Sequence, residues 1–365
     1  MLPSDSILEA LMQQQKFKTT LSELKMLLQP MVDVLPLPEE DPKRVKVEKE
    51  LWNAMKKKDV QGVYCLAGWA LKYAADGGPL ALALYRTASQ NGDYISRYCY
   101  ATLLYRGAKG MPPDRPKGRK MLESLARPPS KSLFKPFPLA LSTLAGIYAL
   151  DDHNFEGARD LYLQAAKAGV TEAYLPLSRM YLQGELPRDE ALARKYLEMA
   201  VRAEDTLDSE KSQAMAHFLL ANMDMMKQDS DETKFKSAFQ HYQKAASKGL
   251  PEAQYNLGNV YFKGLGVGRN EALAVEYWKM SAMQGFGLAQ LSLGAYYFQN
   301  EEEGSPKKHE WDSSKRDLMQ AQKWFTLASR RPGELGSEGE RLKAQVDEAI
   351  KRGGGGVRNG PCVIM

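Results

Sequence analysis

The sequence closes on cysteine, two aliphatic residues and methionine: Cys362, Val363, Ile364 and Met365. A thiolate in that setting can attack a prenyl diphosphate, and methionine in the last place points to farnesyl rather than geranylgeranyl. The expected product is a thioether at Cys362, with Val363 to Met365 removed and the new carboxyl methylated. Residues Gly353 to Pro361 form a glycine-rich lead-in flexible enough to enter a transferase. One short lipid gives only marginal, reversible membrane binding. Lys351, Arg352 and Arg358 are too few for a strong basic patch, and no second cysteine lies nearby for acylation. The expectation is therefore an exchangeable anchor at Cys362, reinforced by a membrane-resident partner.

Other reactive side chains give little. His153, His217, His241 and His309 are scattered, and no nucleophile or carboxylate accompanies them at a recognisable spacing. Neither C-x-x-C nor H-E-x-x-H occurs, so no zinc site is expected. Gly264, Gly266 and Gly268 imitate a phosphate loop, but they follow a helical pattern rather than a strand and read as a turn between helices. Catalytic, metal and cofactor sites are all expected to be absent.

The elements that hold these residues repeat. Small residues recur at Gly62, Ser96, Ala140, Ala173, Ala216, Ala253 and Ala289, at spacings of 34, 44, 33, 43, 37 and 36. Four residues on stand Leu66, Tyr100, Leu144, Leu177, Leu220, Leu257 and Leu293. A second small residue follows at once: Ala67, Ala101, Ala145, Ser178, Ala221, Gly258 and Gly294. At offset eight come Ala70, Leu104, Tyr148, Tyr181, Asp224, Tyr261 and Tyr297, where Asp224 is the misfit. These offsets share one side of an α-helix.

A second helix repeats as regularly. Ala81, Gly118, Ala158, Ala193, Ala238, Ala274 and Ala321 start its pattern, with Tyr85, Leu122, Tyr162, Leu197, Tyr242, Trp278 and Phe325 four residues on. Gly92, Gly169, Gly249 and Gly285 supply stop signals beyond it. Seven helical hairpins follow, and a period of this size means a solenoid.

The string from Ala253 to Gly264, continued by Ala274 to Ala282, resembles the Sel1-like repeat, a relative of the tetratricopeptide repeat. The resemblance is specific over 253–329 and weaker over 62–249. It implies an all-α fold, a right-handed α-α superhelix used for binding proteins. Equivalent positions in stacked hairpins lie about 8 to 10 Å apart, beyond disulfide reach of about 7 Å. Cys65 and Cys99, in the same register of adjacent repeats, are thus expected as buried, reduced thiols, which favours a reducing compartment.

Composition agrees with an array of this kind. The 365 residues are 44% hydrophobic and 26% charged, with a net charge of +5, too mild to suggest nucleic-acid binding. The basic clusters Lys56 to Lys58 and Arg115 to Lys120 read as solvated turns. No apolar run is long enough to span a membrane. Residues 1–42 read as an amphipathic helix over 5–29 and a proline-rich linker through Pro30, Pro36, Pro38 and Pro42. That helix, carrying Ile7, Leu8, Leu11, Leu21, Leu24 and Leu28, either covers the solenoid's end or reaches a partner. The polar breaks at Gln13 to Lys16 and the acids Asp5, Glu9 and Glu23 argue against a targeting signal. The solenoid is expected over 43–336, a capping helix over 337–352 and the tail over 353–365.

Offsets three, six and ten of the first helices avoid the packed columns. They place Arg106, Arg179, Gln183, Asn222, Asn256, Asn259, Lys263 and Gln299 on an inner face suited to an extended peptide. The expected function is a non-enzymatic adaptor with a protein partner on that face and no small-molecule substrate, farnesylated at the cytosolic face of a eukaryotic membrane. By repeat type and tail it is similar to the fungal chitin synthase activators. A soluble adaptor in organelle assembly or degradation is the second reading. A hydrolase is the third, since some Sel1-like proteins are linked to β-lactam hydrolysis.

Overall fold

The computed structural model describes residues 9, 21–56, 67, 68, 70, 71, 77–128, 135–202, 207–227, 233–299 and 313–351. Among them are sixteen α-helices and a 3-10 turn at Thr171–Ala173. Two helices open the chain, α1 (Leu21–Val34) and α2 (Pro42–Lys56), and α3 (Gly77–Gln90) is the second helix of the earliest repeat. First and second helices then alternate as α4 (Tyr94–Arg106), α5 (Arg115–Ala126), α6 (Pro138–Leu150) and α7 (Phe155–Lys167). The alternation continues with α8 (Tyr174–Gln183), α9 (Glu190–Val201), α10 (Leu207–Met226), α11 (Thr233–Ser247), α12 (Pro251–Lys263), α13 (Glu271–Met283), α14 (Gly287–Gln299) and α15 (Ser313–Ser329). Helix α16 (Glu334–Lys351) closes the described fold. The chain divides into two compact units between Ala173 and Tyr174. Each is a stack of helical hairpins, the expected all-α repeat class.

Capping chemistry sets the helix starts. The side chains of Asp114, Asn154, Asp189 and Asn270 accept from the third backbone amide of α5, α7, α9 and α13. Helices α6 and α12 start instead on Pro138 and Pro251, whose missing N–H costs nothing in a first turn. The four stop glycines take φ between 85° and 101°. Gly264, first of the three glycines read as a turn, is the left-handed end of α12, its N–H on Val260 O.

Behind these caps the columns pack as the spacing requires. Leu144, Leu177, Leu257 and Leu293 are wholly buried, and so are Ala101, Ala145, Ser178 and Ala221 beside their columns. Leu122, Leu197 and Phe325 from the second helices close on them. Each such side chain contributes roughly 1.5–3 kcal/mol relative to an exposed one.

Two expectations at the chain's ends are corrected. The proline stretch is not one extended linker, because α1 continues through Pro30 to Val34 and Pro42 is the first residue of α2. Pro30 is exposed, so the carbonyl it leaves without an amide partner faces water, while Leu28, Met31 and Val34 on the other face are buried. They join a cluster with Leu51 and Trp52 of α2 and Leu80 and Leu84 of α3, so this helix docks in cis. The rest of the 5–29 segment lies outside the described residues, apart from the helical Glu9. At the other end the capping helix starts at Glu334 rather than 337, and Leu342 and Val346 pack on Leu318, Phe325 and Ala328.

Candidate interaction site

The three polar offsets of the first helices have different fates. At offset ten, Arg106, Gln183 and Lys263 are exposed. Gln299 occupies the same place at the end of α14, where the backbone alone is described. At offset six, Arg179 is exposed, but Asn222 and Asn259 are half-buried and engaged. Asn222 Oδ1 accepts from the Tyr242 hydroxyl at 2.6 Å, and Asn259 Oδ1 accepts from Trp278 Nε1 at 3.1 Å. Offset three is not open surface as expected. It is the seam between successive first helices, where Thr143 meets Tyr98 at 2.8 Å and Ser292 meets Tyr255 at 3.4 Å. Asn256 sits there too and donates to the Tyr242 oxygen at 3.2 Å. Cys99 shares that seam, which is why it is half-buried rather than buried; it forms no disulfide. Cys65 and Cys362 lie outside the described residues.

A second pattern escaped the sequence reading. Offset eight of a first helix meets offset three of its second helix, and in the second unit these are aromatic pairs. Tyr181 and Tyr196 lie 6.0 Å apart, while Tyr261 and Tyr277 stack at 5.7 Å with 7° between their planes. Phe239 adds an edge-on contact to Tyr261. In the α10–α11 hairpin the same two places hold Asp224 and His241.

Asp224, the misfit column residue, is fully buried and satisfied. Its oxygens lie 2.7 Å from Arg194 Nη2, 3.1 Å from Lys227 Nζ and 2.6 Å from Ser237 Oγ. Burial alone would raise its pKa, but the hydrogen bonds from Ser237, Lys227 and Arg194 hold it below its ordinary value. Beside it, His217 and His241 place their Nδ1 atoms 2.9 Å apart, one donating to the other. Burial, then His241, Lys244 and Lys248, push His217 down to about 4. His241 is lowered by burial, with Asp224 and Glu198 opposing and Lys244 and Arg194 assisting. Two neutral imidazoles bonded to each other are packing partners. Among the described residues no group of three His, Cys, Asp or Glu side chains could hold a metal ion. The available signal was the joint loss of two aromatic residues in one hairpin.

The repeat geometry bears directly on kinship. The Sel1 repeat profile matches residues 81–127, 146–170, 171–205, 214–250, 251–286 and 287–332. The chain belongs to the Sel1 repeat family. The matches begin at the second helix of the earliest hairpin and extend the resemblance well beyond 253–329. Among curated relatives, the chitin synthase regulator SKT5 of Saccharomyces cerevisiae is 29% identical over 188 residues, covering 49% of this chain and 25% of that protein. An uncharacterised protein of Neisseria meningitidis is 28% identical over 145 residues, covering 38% of this chain and 30% of its own length. This Sel1-repeat chain thus spans less than a third of either. A protective antigen of uropathogenic Escherichia coli with an SLR fold superposes with a TM-score of 0.58 at 21% identity, over 92% of this chain and 72% of its own. That likeness is one of fold.

Proposed function

We propose that this Sel1-repeat protein is a non-catalytic scaffold that binds a protein partner along its first helices and regulates a membrane enzyme of the chitin synthase kind. In this reading a farnesyl group on Cys362 brings the scaffold to the cytosolic face of the membrane, and the partner retains it there. The observation that carries the reading is the joint occurrence of a prenylation tetrapeptide and a repeat region 29% identical to a chitin synthase regulator. No helix among the described residues is long and apolar enough to cross a membrane, so attachment would rest on the lipid and the partner. In the second unit the exposed Arg179, Gln183 and Lys263 are suited to backbone carbonyls and acidic groups of an extended segment, and in the first unit Arg106 offers the same chemistry.

The test compares the unaltered chain with Cys362→Ser by membrane fractionation and proximity labelling in a eukaryotic cell. The unaltered chain should pellet with membranes and label a membrane-bound synthase, and the variant should lose both. Identical fractionation of the two would exclude the anchor. Loss of the anchor with the same labelled partners would favour a soluble adaptor.

A further inference from the structure

Positive charge in this chain is concentrated in one hairpin. From Asp93 to Lys135 there are ten lysines and arginines against three acids, a surplus of seven in a chain whose whole net charge is +5. The three acids are occupied. Asp93 and Asp114 accept from backbone amides as the caps of α4 and α5, and Glu123 shares Arg119 with Asp152, which follows α6. Asp151 beside it accepts from the Tyr105 hydroxyl. Lys117 is engaged by the Tyr100 hydroxyl and, at 3.7 Å, by Glu39.

Five cations are left exposed and without an ion pair among the described residues: Lys109, Arg115, Lys120, Arg127 and Lys135. Lys109 stands at the tip of the α4–α5 turn, which the mutually bonded Ala108 and Met111 close. Arg115 opens α5, and Lys120 and Arg127 lie two turns apart on its exposed side, with the exposed Ser124 between them. The Phe137 amide bonds Leu125 O at 2.9 Å, which brings Lys135 to the same end of α5 as Arg127. Arg115 and Arg127 lie over the rings of Tyr105 and Tyr148, 5.9 and 5.8 Å from their centroids, contacts that place the guanidinium groups without neutralising them. Twelve residues make α5 about 18 Å long. Successive cations along it are therefore about a Debye length apart, roughly 8 Å in physiological salt, and their fields add. On one side α3 has no charged residue but the buried Arg86, and on the other Glu156 and Asp160 of α7 pair with Arg159.

We propose that this basic face docks on a bilayer that carries acidic phospholipid headgroups. Its five charges lie along a helix and its two flanking turns rather than around a cleft, so they respond to charge density rather than to the shape of one ligand. A single acidic side chain would meet one or two of them, whereas a charged bilayer meets all five, each contributing about fivefold to binding. One farnesyl group gives only marginal attachment. In the membrane reading above, this face is the second attachment that Lys351, Arg352 and Arg358 are too few to supply. Its charge acts on an unlipidated chain as well, so either attachment can fail alone.

The experiment sediments the unlipidated full chain at low salt with vesicles of phosphatidylcholine alone or of phosphatidylcholine and phosphatidylserine in equal parts. The unaltered chain should favour the phosphatidylserine vesicles by at least about tenfold. Lys120→Gln, Arg127→Gln and Lys135→Gln together should remove most of that preference. Lys195→Gln, Lys236→Gln and Lys244→Gln together, which take the same charge from exposed positions of the second unit, should keep it. Lys120→Arg, Arg127→Lys and Lys135→Arg together should bind as the unaltered chain does, because charge is read and not shape. Equal binding to both kinds of vesicle, or equal loss in the two glutamine variants, overturns the proposal. A face that binds an oligoglutamate peptide but not the phosphatidylserine vesicles belongs to an acidic protein, which overturns the lipid assignment. Since no lipid is attached to the chain, none of these outcomes depends on the Cys362→Ser comparison.

Discussion

Trp278 lies over Gly258 so closely that a Cβ on the glycine would sit 2.5 Å from the indole Cδ1 and 2.6 Å from Nε1. Phe325 lies over Gly294 in the same way, with a ring carbon 2.5 Å from the added atom. Where the second helix brings leucine or tyrosine, the first helix offers Ala101, Ala145, Ser178 or Ala221 instead. The two columns are therefore matched pair by pair, with glycine where Trp278 and Phe325 press on the first helix and alanine or serine beneath the leucines and tyrosines.

Gly258→Ala tests that matching. Helix propensity favours alanine by about 1 kcal/mol, but overpacking against a buried indole costs about 1–3 kcal/mol, and shifting the ring strains its bond to Asn259. A net loss of about 1 kcal/mol is expected in urea unfolding. The loss should disappear in a Trp278→Leu background, which reproduces the Ala101 with Leu122 pairing, giving a coupling energy of similar size. Additive effects would contradict the matching.

Asp224→Asn keeps the shape and removes the charge. Arg194 and Lys227 lose an ionised acceptor inside the hairpin, and hydrogen bonds to charged groups contribute about 1.5–3 kcal/mol. A loss of about 2 kcal/mol is expected for Asp224→Asn. Lys227→Met should cost less than about 1 kcal/mol, because that side chain is 45% exposed and its pairing is screened. Denaturant midpoints of the two variants decide the order.

Acid should loosen the α10–α11 hairpin before it affects Asp224. Both imidazoles have lowered pKa values in the fold, with His217 at about 4, so the folded state favours their neutral forms. Their contribution is complete above the unfolded value of about 6.5 and is lost as pH falls from there toward 4. The lowered pKa of Asp224 makes its contribution fade only at more acid pH, below its ordinary value of 3.8. Melting temperature should therefore fall between those two limits, and a variant with both His217→Gln and His241→Gln should show a flatter profile there. An unchanged slope would mean that the pair does not titrate with unfolding.

The core was readable from sequence because periodicity alone decides which face a helix buries, as Leu144, Leu177 and Leu257 show. Asn222, Asn256 and Asn259 were harder. Periodicity excludes them from the core but does not say that Tyr242 and Trp278, from 14 to 20 residues away, reach back to bond them. Asp224 was visible as an exception, yet its partners stand 30, 13 and 3 residues off in chain order. Tyr100 passed as a large apolar residue, although its hydroxyl meets Lys117. Column patterns record size and polarity one helix at a time, whereas each of these contacts is a property of two helices.

The size matching of Gly258 with Trp278 also fixes the unit in which such an array can be inherited. A crossover inside a hairpin would set Ala221 beneath Trp278, or Gly258 beneath Tyr242, and leave either a collision or a hole. A crossover between hairpins keeps each ring with its own small residue. Breakpoints in the loops between hairpins therefore preserve each matched pair, and breakpoints inside a hairpin do not.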